Sequence, residues 1–271
     1  MVYQKVMARR YLSVNVSEEQ QQFIRLLDDY EIDIFSMDAI EKQIGKKFSN
    51  LNAILENLID KQFFSRIEKG KYCRTNFRDE LVIGTFIAKD GAIAYWTALN
   101  KRGLTEQFSN TIFIQTPRLK RDKTIFGIPY KFIKISPSKR AGIIKEGYGN
   151  RTFWMTDVEK TIIDCFDLPQ YSGGYAELIR AFSQAKLRSD KLIQYCNTVH
   201  NIAVTKRMGF LAHVLQKDEL KSFIDFAKSQ VKEKYNLFDP QGPDKGEFVN
   251  EWRLRLNISK SEILNIINKQ Y

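Results

Sequence analysis

The apolar positions of this chain change period along its length, and the clearest changes lie between Ser36 and Thr75. Ile40 and Ile44 stand one helical turn apart behind Ser36, a residue type that caps helix starts. Gly45 ends that helix, because glycine accepts the positive φ of a C-terminal cap. Lys46, Lys47 and Phe48 make a turn. Ser49 then caps a second helix, in which Leu51, Ile54, Leu55 and Leu58 recur at i, i+3, i+4 and i+7. Phe63 to Ile67 and Lys71 to Arg74 read as strands joined through Glu68-Lys69-Gly70, a hairpin with glycine at its tip. Upstream, Ser17 and Gln20 have the spacing of a capping box, and Phe23, Leu26, Leu27 and Tyr30 form a helical stripe behind it. A support helix, two short helices around a tight turn and a closing hairpin predict a winged helix-turn-helix over residues 1–78. In such a unit the second helix enters the major groove and the hairpin lies along the DNA backbone; the same shape also serves as a plain protein-contact module.

After a polar junction at Asn76 to Glu80 the pattern mixes periods. Leu81, Phe86 and Ile87 belong to a helix, and Ala92 to Leu104 carries Tyr95-Trp96-Thr97-Ala98-Leu99. Asn110 to Gln115 is a strand, Thr124 to Ile135 a hairpin around Gly127-Ile128-Pro129, and Thr152 to Met155 another strand. Asp157 caps a helix that Gly173-Gly174 separates from others starting near Tyr175, Asp190 and Ile202. Phe223, Phe226, Val231 and Tyr235 suggest one further helix and Leu256 to Ile267 another, with a loop at Asp239 to Pro243. The expected fold class is α+β: an N-terminal winged helix-turn-helix, then over residues 79–271 a small sheet (about 92–156) followed by a helical half (157–271).

Charge sharpens this picture. The net charge is +11, but residues 1–80 hold 13 Lys+Arg against 13 Asp+Glu and are neutral. Residues 118–151 hold 10 Lys+Arg against only Asp122 and Glu146. A basic stripe of this kind marks a phosphate footprint, here in the second domain. Arg118, Lys120, Arg121, Lys123, Lys131 and Lys134 are its candidate nucleic-acid contacts. In the first domain the candidates are Ser49, Asn50 and Asn52 in the first turn of the second helix, Lys46 and Lys47 just before it, and Lys69, Lys71 and Arg74 on the hairpin. Asparagine reads adenine by a paired hydrogen bond, and serine or lysine meets phosphate. Asn57 and Lys61 are weaker candidates, and Glu56 opposes phosphate. Lys5, Arg9 and Arg10 form a basic arm or a solvated extension.

Cys73, Cys165 and Cys196 are odd in number and far apart, which points to a reducing, cytoplasmic setting and to small buried side chains rather than disulfides or metal ligands. There is neither a signal-peptide stretch at Met1 to Arg10 nor an apolar run long enough to cross a bilayer.

Several segments together resemble the AbiEi family. They are Tyr95-Trp96 with Ala98-Leu99; Gly103-Leu104-Thr105-Glu106-Gln107; Asp157-x-Glu159-Lys160-Thr161 with Asp164; then Pro169 and Gly173-Gly174; and, earlier, Ile67-Glu68-Lys69-Gly70-Lys71-Tyr72. The likeness runs from about Ser17 to Leu215, and its order and spacing carry it. Where the family often has a histidine near the tryptophan helix, this chain has Asn100-Lys101-Arg102. The resemblance implies an antitoxin of a type IV toxin–antitoxin system of abortive phage infection. Its winged helix would repress its own operon at inverted repeats of operator DNA. Its C-terminal domain would supply antitoxicity and help binding be cooperative, with a homo-oligomer on DNA as one form. The implied partner is an AbiEii-like nucleotidyltransferase toxin, antagonised without a stable complex. No cofactor, metal or catalysis is expected.

A second reading starts from the one dense acid–base group, Asp157, Glu159, Lys160 and Asp164. A metal-dependent nuclease would use Asp157, Glu159 and Lys160 around a divalent ion, but needs further carboxylates converging there. The simpler assignment makes Asp157 an N-cap and pairs Lys160 with Asp164 at i, i+4. His200 and His213 have no metal-ligand spacing, and Gly147-x-Gly149 and Gly173-Gly174 lack the Lys-Ser/Thr of a phosphate loop.

Overall fold

The structure is a computed structural model that describes residues 15–268 and divides the chain into two units, Met1–Asp79 and Glu80–Tyr271. Lys5, Arg9 and Arg10 lie outside the described residues.

Unit one runs α1 (Glu18–Asp29), β1 (Ile34–Ser36), α2 (Met37–Gln43), α3 (Leu51–Asp60), β2 (Phe64–Glu68) and β3 (Lys71–Arg74). Its three strands pair in the order β1-β3-β2, all antiparallel. The start of α1 is the capping box expected, with Ser17 accepting from the Gln20 N–H and Gln20 accepting from the Ser17 N–H. Gly45 holds φ +69° after α2, and Gly70 holds φ +73° at the hairpin tip, where a side chain would be strained. Phe23, Phe35, Phe48, Phe64 and Tyr72 meet as edge-to-face and stacked rings with centroids 5.3–6.0 Å apart. Leu51, Ile54, Leu55 and Leu58 bury the inner stripe of α3 against them. Each such side chain contributes about 1.5–3 kcal/mol on burial.

Two caps differ from expectation. Asn50, not Ser49, is the N-cap of α3 and accepts from the Ala53 N–H at 3.1 Å; Ser49 instead donates to Glu19 at 2.9 Å. Ser36 stands at the N-cap of α2 without a side-chain cap bond, because it is also the last residue of β1. Tyr30 is exposed, since α1 has ended at Asp29 and the stripe no longer faces the core.

Unit two is built on a six-stranded mixed sheet. In chain order it contains α4 (Glu80–Ile87), β4 (Ala92–Ile93), α5 (Tyr95–Lys101), β5 (Ile112–Thr116), β6 (Lys123–Ile125), β7 (Ile128–Lys134), β8 (Ile143–Tyr148) and β9 (Arg151–Thr156). Helices α6 (Val158–Asp167), α7 (Tyr175–Gln184), α8 (Ser189–Val199), α9 (Ile202–Val214) and α10 (Lys221–Ser229) follow. The tail adds β10 (Asn236–Leu237), β11 (Glu247–Val249), β12 (Leu254–Leu256) and α11 (Lys260–Asn268). The strand order is β6-β7-β5-β4-β9-β8. Helix α4 lies on one sheet face, where Gly84 sits so close to Ile114 and Tyr130 that an added Cβ would come within 2.7 Å of Ile114. The opposite face, with Phe113 and Ile133, joins the core of α5 to α10. The fold is α+β.

Two parts of unit two were not expected from the periodicity. Strand β8 reads poorly because only Ile143 and Glu146 along it are even partly buried, so it shows no clean alternation. The tail forms a second three-stranded sheet, β10-β12-β11, with strands of two or three residues, too short to leave a period. Trp252, in the turn between β11 and β12, is buried against α9, where Gly209 leaves room for its ring. The helix expected over Phe223 to Tyr235 stops at Ser229.

Candidate nucleic-acid interface

In unit one, the sequence candidates divide by what their side chains already hold. Lys47 and Asn52 are exposed beside and on the first turn of α3, and Lys69 is exposed at the hairpin tip. Lys46 sits 5.4 Å from the Phe48 ring centroid, and Asn50 is committed to its cap. Ser49 is tied to Glu19. Lys71 pairs with Glu68 at 3.0 Å, and Arg74 pairs with Asp28 and lies over the Phe64 ring. The Asn57 side chain donates back to the Ala53 carbonyl within α3, and Lys61 donates to the Asn15 carbonyl and to Gln20, tying the end of α3 to α1. Glu41 receives the Phe48 N–H at 2.8 Å and fixes the turn between α2 and α3.

One residue was missed. Arg66 on β2 is exposed, lies over Tyr72 and pairs with Glu56 of α3. It pairs off Glu56, an acid that opposes phosphate where it faces a groove. The signal was available: in a hairpin read from Phe63, position 66 lies on the strand beside the tip, where cations reach a backbone.

In unit two, the topology splits the basic stripe. Arg118, Lys120, Arg121, Lys123, Lys131 and Lys134 collect at the β6–β7 edge. Lys145 and Arg151 belong to the far side, on β8 and β9, while Lys139 and Arg140 lie in the turn between β7 and β8, where Lys139 pairs with Asp167 and Arg140 donates to the Asp90 carbonyl at 2.7 Å. Five inter-strand steps of about 4.8 Å separate the two edges. Even the first group is not one plane. Lys120 lies over Phe132, and Lys131 lies over Tyr171 on the helix-covered face. Arg118 reaches Asp90 at 3.1 Å, and Arg121 and Lys134 are exposed.

Each residue of the acid–base group on α6 has a partner, although Asp164 Oδ2 is buried without a hydrogen bond. Asp157 Oδ1 accepts the Lys160 N–H at 2.9 Å, and its Oδ2 accepts from Lys191 and Tyr195, each at 2.8 Å. Glu159 accepts from the Arg188 N–H at 3.0 Å and from Lys191. Lys160 and Asp164 form a buried i, i+4 pair. Burial drives the Asp164 carboxyl above its ordinary range, against the pull of Lys160, and raises the Tyr195 hydroxyl, which the Asp157 carboxylate raises further. These contacts hold α6 to α8. No group of three or more His, Cys, Asp or Glu among the described residues has the arrangement of a metal site. All three cysteines are buried and free, and burial raises each thiol, so none is a reactive thiolate.

Within unit two, the segments around Trp96, Gly103–Gln107 and Gly173 meet in space. Trp96 Nε1 donates to the Gln107 carbonyl at 3.2 Å, and Gly173, at φ +80°, lies against the Trp96 ring, where a Cβ would come within 2.9 Å. Thr105 donates to Glu177 at 2.9 Å. Arg102 donates to the Thr156 carbonyl and pairs with Glu146 at 2.8 Å, joining α5 to β8 and β9. These residues are architecture: they lock the tryptophan helix onto the start of α7.

No family model matches this chain, and no curated protein matches it. Among solved structures it is similar to the RV2827C protein from Mycobacterium tuberculosis, with a TM-score of 0.63 at 13% identity, over 95% of this chain and 97% of that one. At this identity the likeness concerns the fold. No described helix is long and apolar enough to cross a membrane.

Proposed function

We propose that this chain is an AbiEi-like antitoxin that also represses its own operon, with unit one acting as a winged helix-turn-helix on promoter DNA. One observation carries the reading. Lys47, Asn52 and Lys69 stand exposed on the two elements, a helix start and a hairpin tip, that winged helices present to groove and backbone. The order helix, strand, helix, helix, strand, strand with a β1-β3-β2 sheet supports it. Asn52 is the base reader, and Lys47 and Lys69 are phosphate contacts. The β6–β7 cations add salt-dependent affinity for nucleic acid. The protein works in the reducing cytoplasm, performs no catalysis itself, and its functional partner is a nucleotidyltransferase toxin.

The test is genetic. Expressed with the toxin from the neighbouring reading frame, the chain relieves growth arrest, and it silences a reporter driven by its own promoter. Asn52→Ala restores reporter expression while growth is still rescued. Failure of the intact chain in both assays overturns the proposal.

A further inference from the structure

Where β10 passes the turn between α8 and α9 there is a cleft of about 500 Å3 in unit two. Small-molecule sites span about 300–1,000 Å3, so it has room for a nucleotide-sized ligand. Lys139, Lys206, Lys232 and Lys234 line it, and Asp167 is its one carboxylate among the described residues. That carboxylate is already used. Lys139 pairs with Asp167 at 2.6 Å, and the Asn201 side chain donates to its other oxygen at 2.7 Å. Three ammonium groups therefore face the cleft without an acidic partner.

Lys206 is the informative one. Its side chain is 1% exposed, and its Nζ donates to the carbonyls of Lys234 at 2.8 Å and Arg253 at 3.0 Å. An ammonium has three donors, so one remains for an occupant of the cleft. Burial, with Arg207, Arg253 and Lys234 nearby, brings its pKa down to about 8. A buried cation among other cations is costly until an anion joins it. Helix α9 also begins here. Asn201 caps its Ala203 and Val204 N–H groups, and the helix dipole adds positive potential.

We propose that this cleft binds a phosphate-bearing ligand of nucleotide size, either a free nucleoside phosphate or the phosphorylated end of a nucleic-acid strand. Lys232 and Lys234 attract the phosphate from the rim, and Lys206 is the buried donor that receives it. This site belongs to unit two alone and stands or falls separately from operator binding.

The experiment is calorimetric titration of the full chain, at physiological salt, with adenosine triphosphate, adenosine and inorganic phosphate. A second arm uses a short oligonucleotide with and without a terminal phosphate. The triphosphate binds and adenosine does not, or the phosphorylated oligonucleotide outbinds its unphosphorylated twin; which arm responds identifies the source. The responding ligand loses at least about tenfold in affinity in K232E/K234E, since the pair contributes most of the rim charge. Both positions are exposed, so that variant keeps its fold by circular dichroism; K206M, measured beside it, weakens binding too. Equal binding with and without phosphate in both arms, or unchanged affinity in K232E/K234E, overturns the proposal.

Discussion

The two units use the same charged residue types in opposite ways. In unit one they pair at or near the surface, as in Glu56–Arg66, Asp28–Arg74 and Glu68–Lys71, around a core of aromatic and aliphatic side chains. In unit two they go inside. Glu159, Lys160 and Asp164 on α6, and Lys206 and Arg207 on α9, are all more than nine-tenths buried. The two buried cations of α9 latch the tail, Lys206 to Lys234 and Arg253, and Arg207 to the Leu237 carbonyl. Surface pairs contribute about 0–1 kcal/mol each and leave the exterior free to bind. A buried pair is different: it contributes little net stability, yet losing one partner leaves an unmatched charge. An exposed Lys47, Asn52 or Lys69 on unit one is therefore a candidate contact, whereas Lys160 inside α6 of unit two is a structural commitment.

The strongest way to break this contrast is at α6. Asp164→Ala strands Lys160 in the core and lowers stability by about 3–5 kcal/mol in urea unfolding, whereas the double change Lys160→Met with Asp164→Leu recovers most of it. A loss below about 1 kcal/mol for the single change, the value of a surface pair, would erase the distinction.

The buried cation of α9 gives a smaller effect with a definite sign. Lys206 has a folded pKa of about 8, and an unfolded lysine lies near 10.5. Between those values the unfolded chain binds more protons, so stability rises as pH climbs through that window. Below it the cost of burying the charge is fully present. Denaturation midpoints across this range should rise for the natural chain relative to Lys206→Met, which lacks the contribution; parallel curves would contradict it.

Smaller still are the changes on unit one. Asn52→Ala should alter stability by no more than about 0.5 kcal/mol, yet reduce discrimination for the natural promoter by about 1–3 kcal/mol. Competition binding against mutated promoter bases measures the second value. The smallest expected effect is on salt dependence. Neutralising Arg118, Lys120, Arg121 and Lys123 should flatten the slope of log affinity against log salt by about 0.9 for each phosphate left without its cation. The same slope in the variant would remove that edge from the interface.

These effects track how much was legible before the structure. Strong helical stripes were read well: α1 with its capping box, the buried face of α3 and the starts of α6, α7 and α9. Single-residue roles were not. Ser49 and Asn50 are both good cap residues, and only the path of the chain into α3 decides which one serves. Arg74 looked like a hairpin cation, but Asp28, 46 residues away in sequence, holds it. The basic stripe was visible as a composition, whereas its division between two sheet edges depends on strand order, which no local pattern encodes. The tail sheet escaped because its stability comes from α9 and Trp252 rather than from its own short strands.

Operator reading by unit one, the proposed role, is open to a direct measurement. Fluorescence anisotropy of the full chain on its own promoter and on a random duplex of equal length, at moderate ionic strength, tests it most directly. The expected result is a clear preference for the promoter that Asn52→Ala removes while non-specific binding persists. Equal affinity for the two duplexes would contradict it.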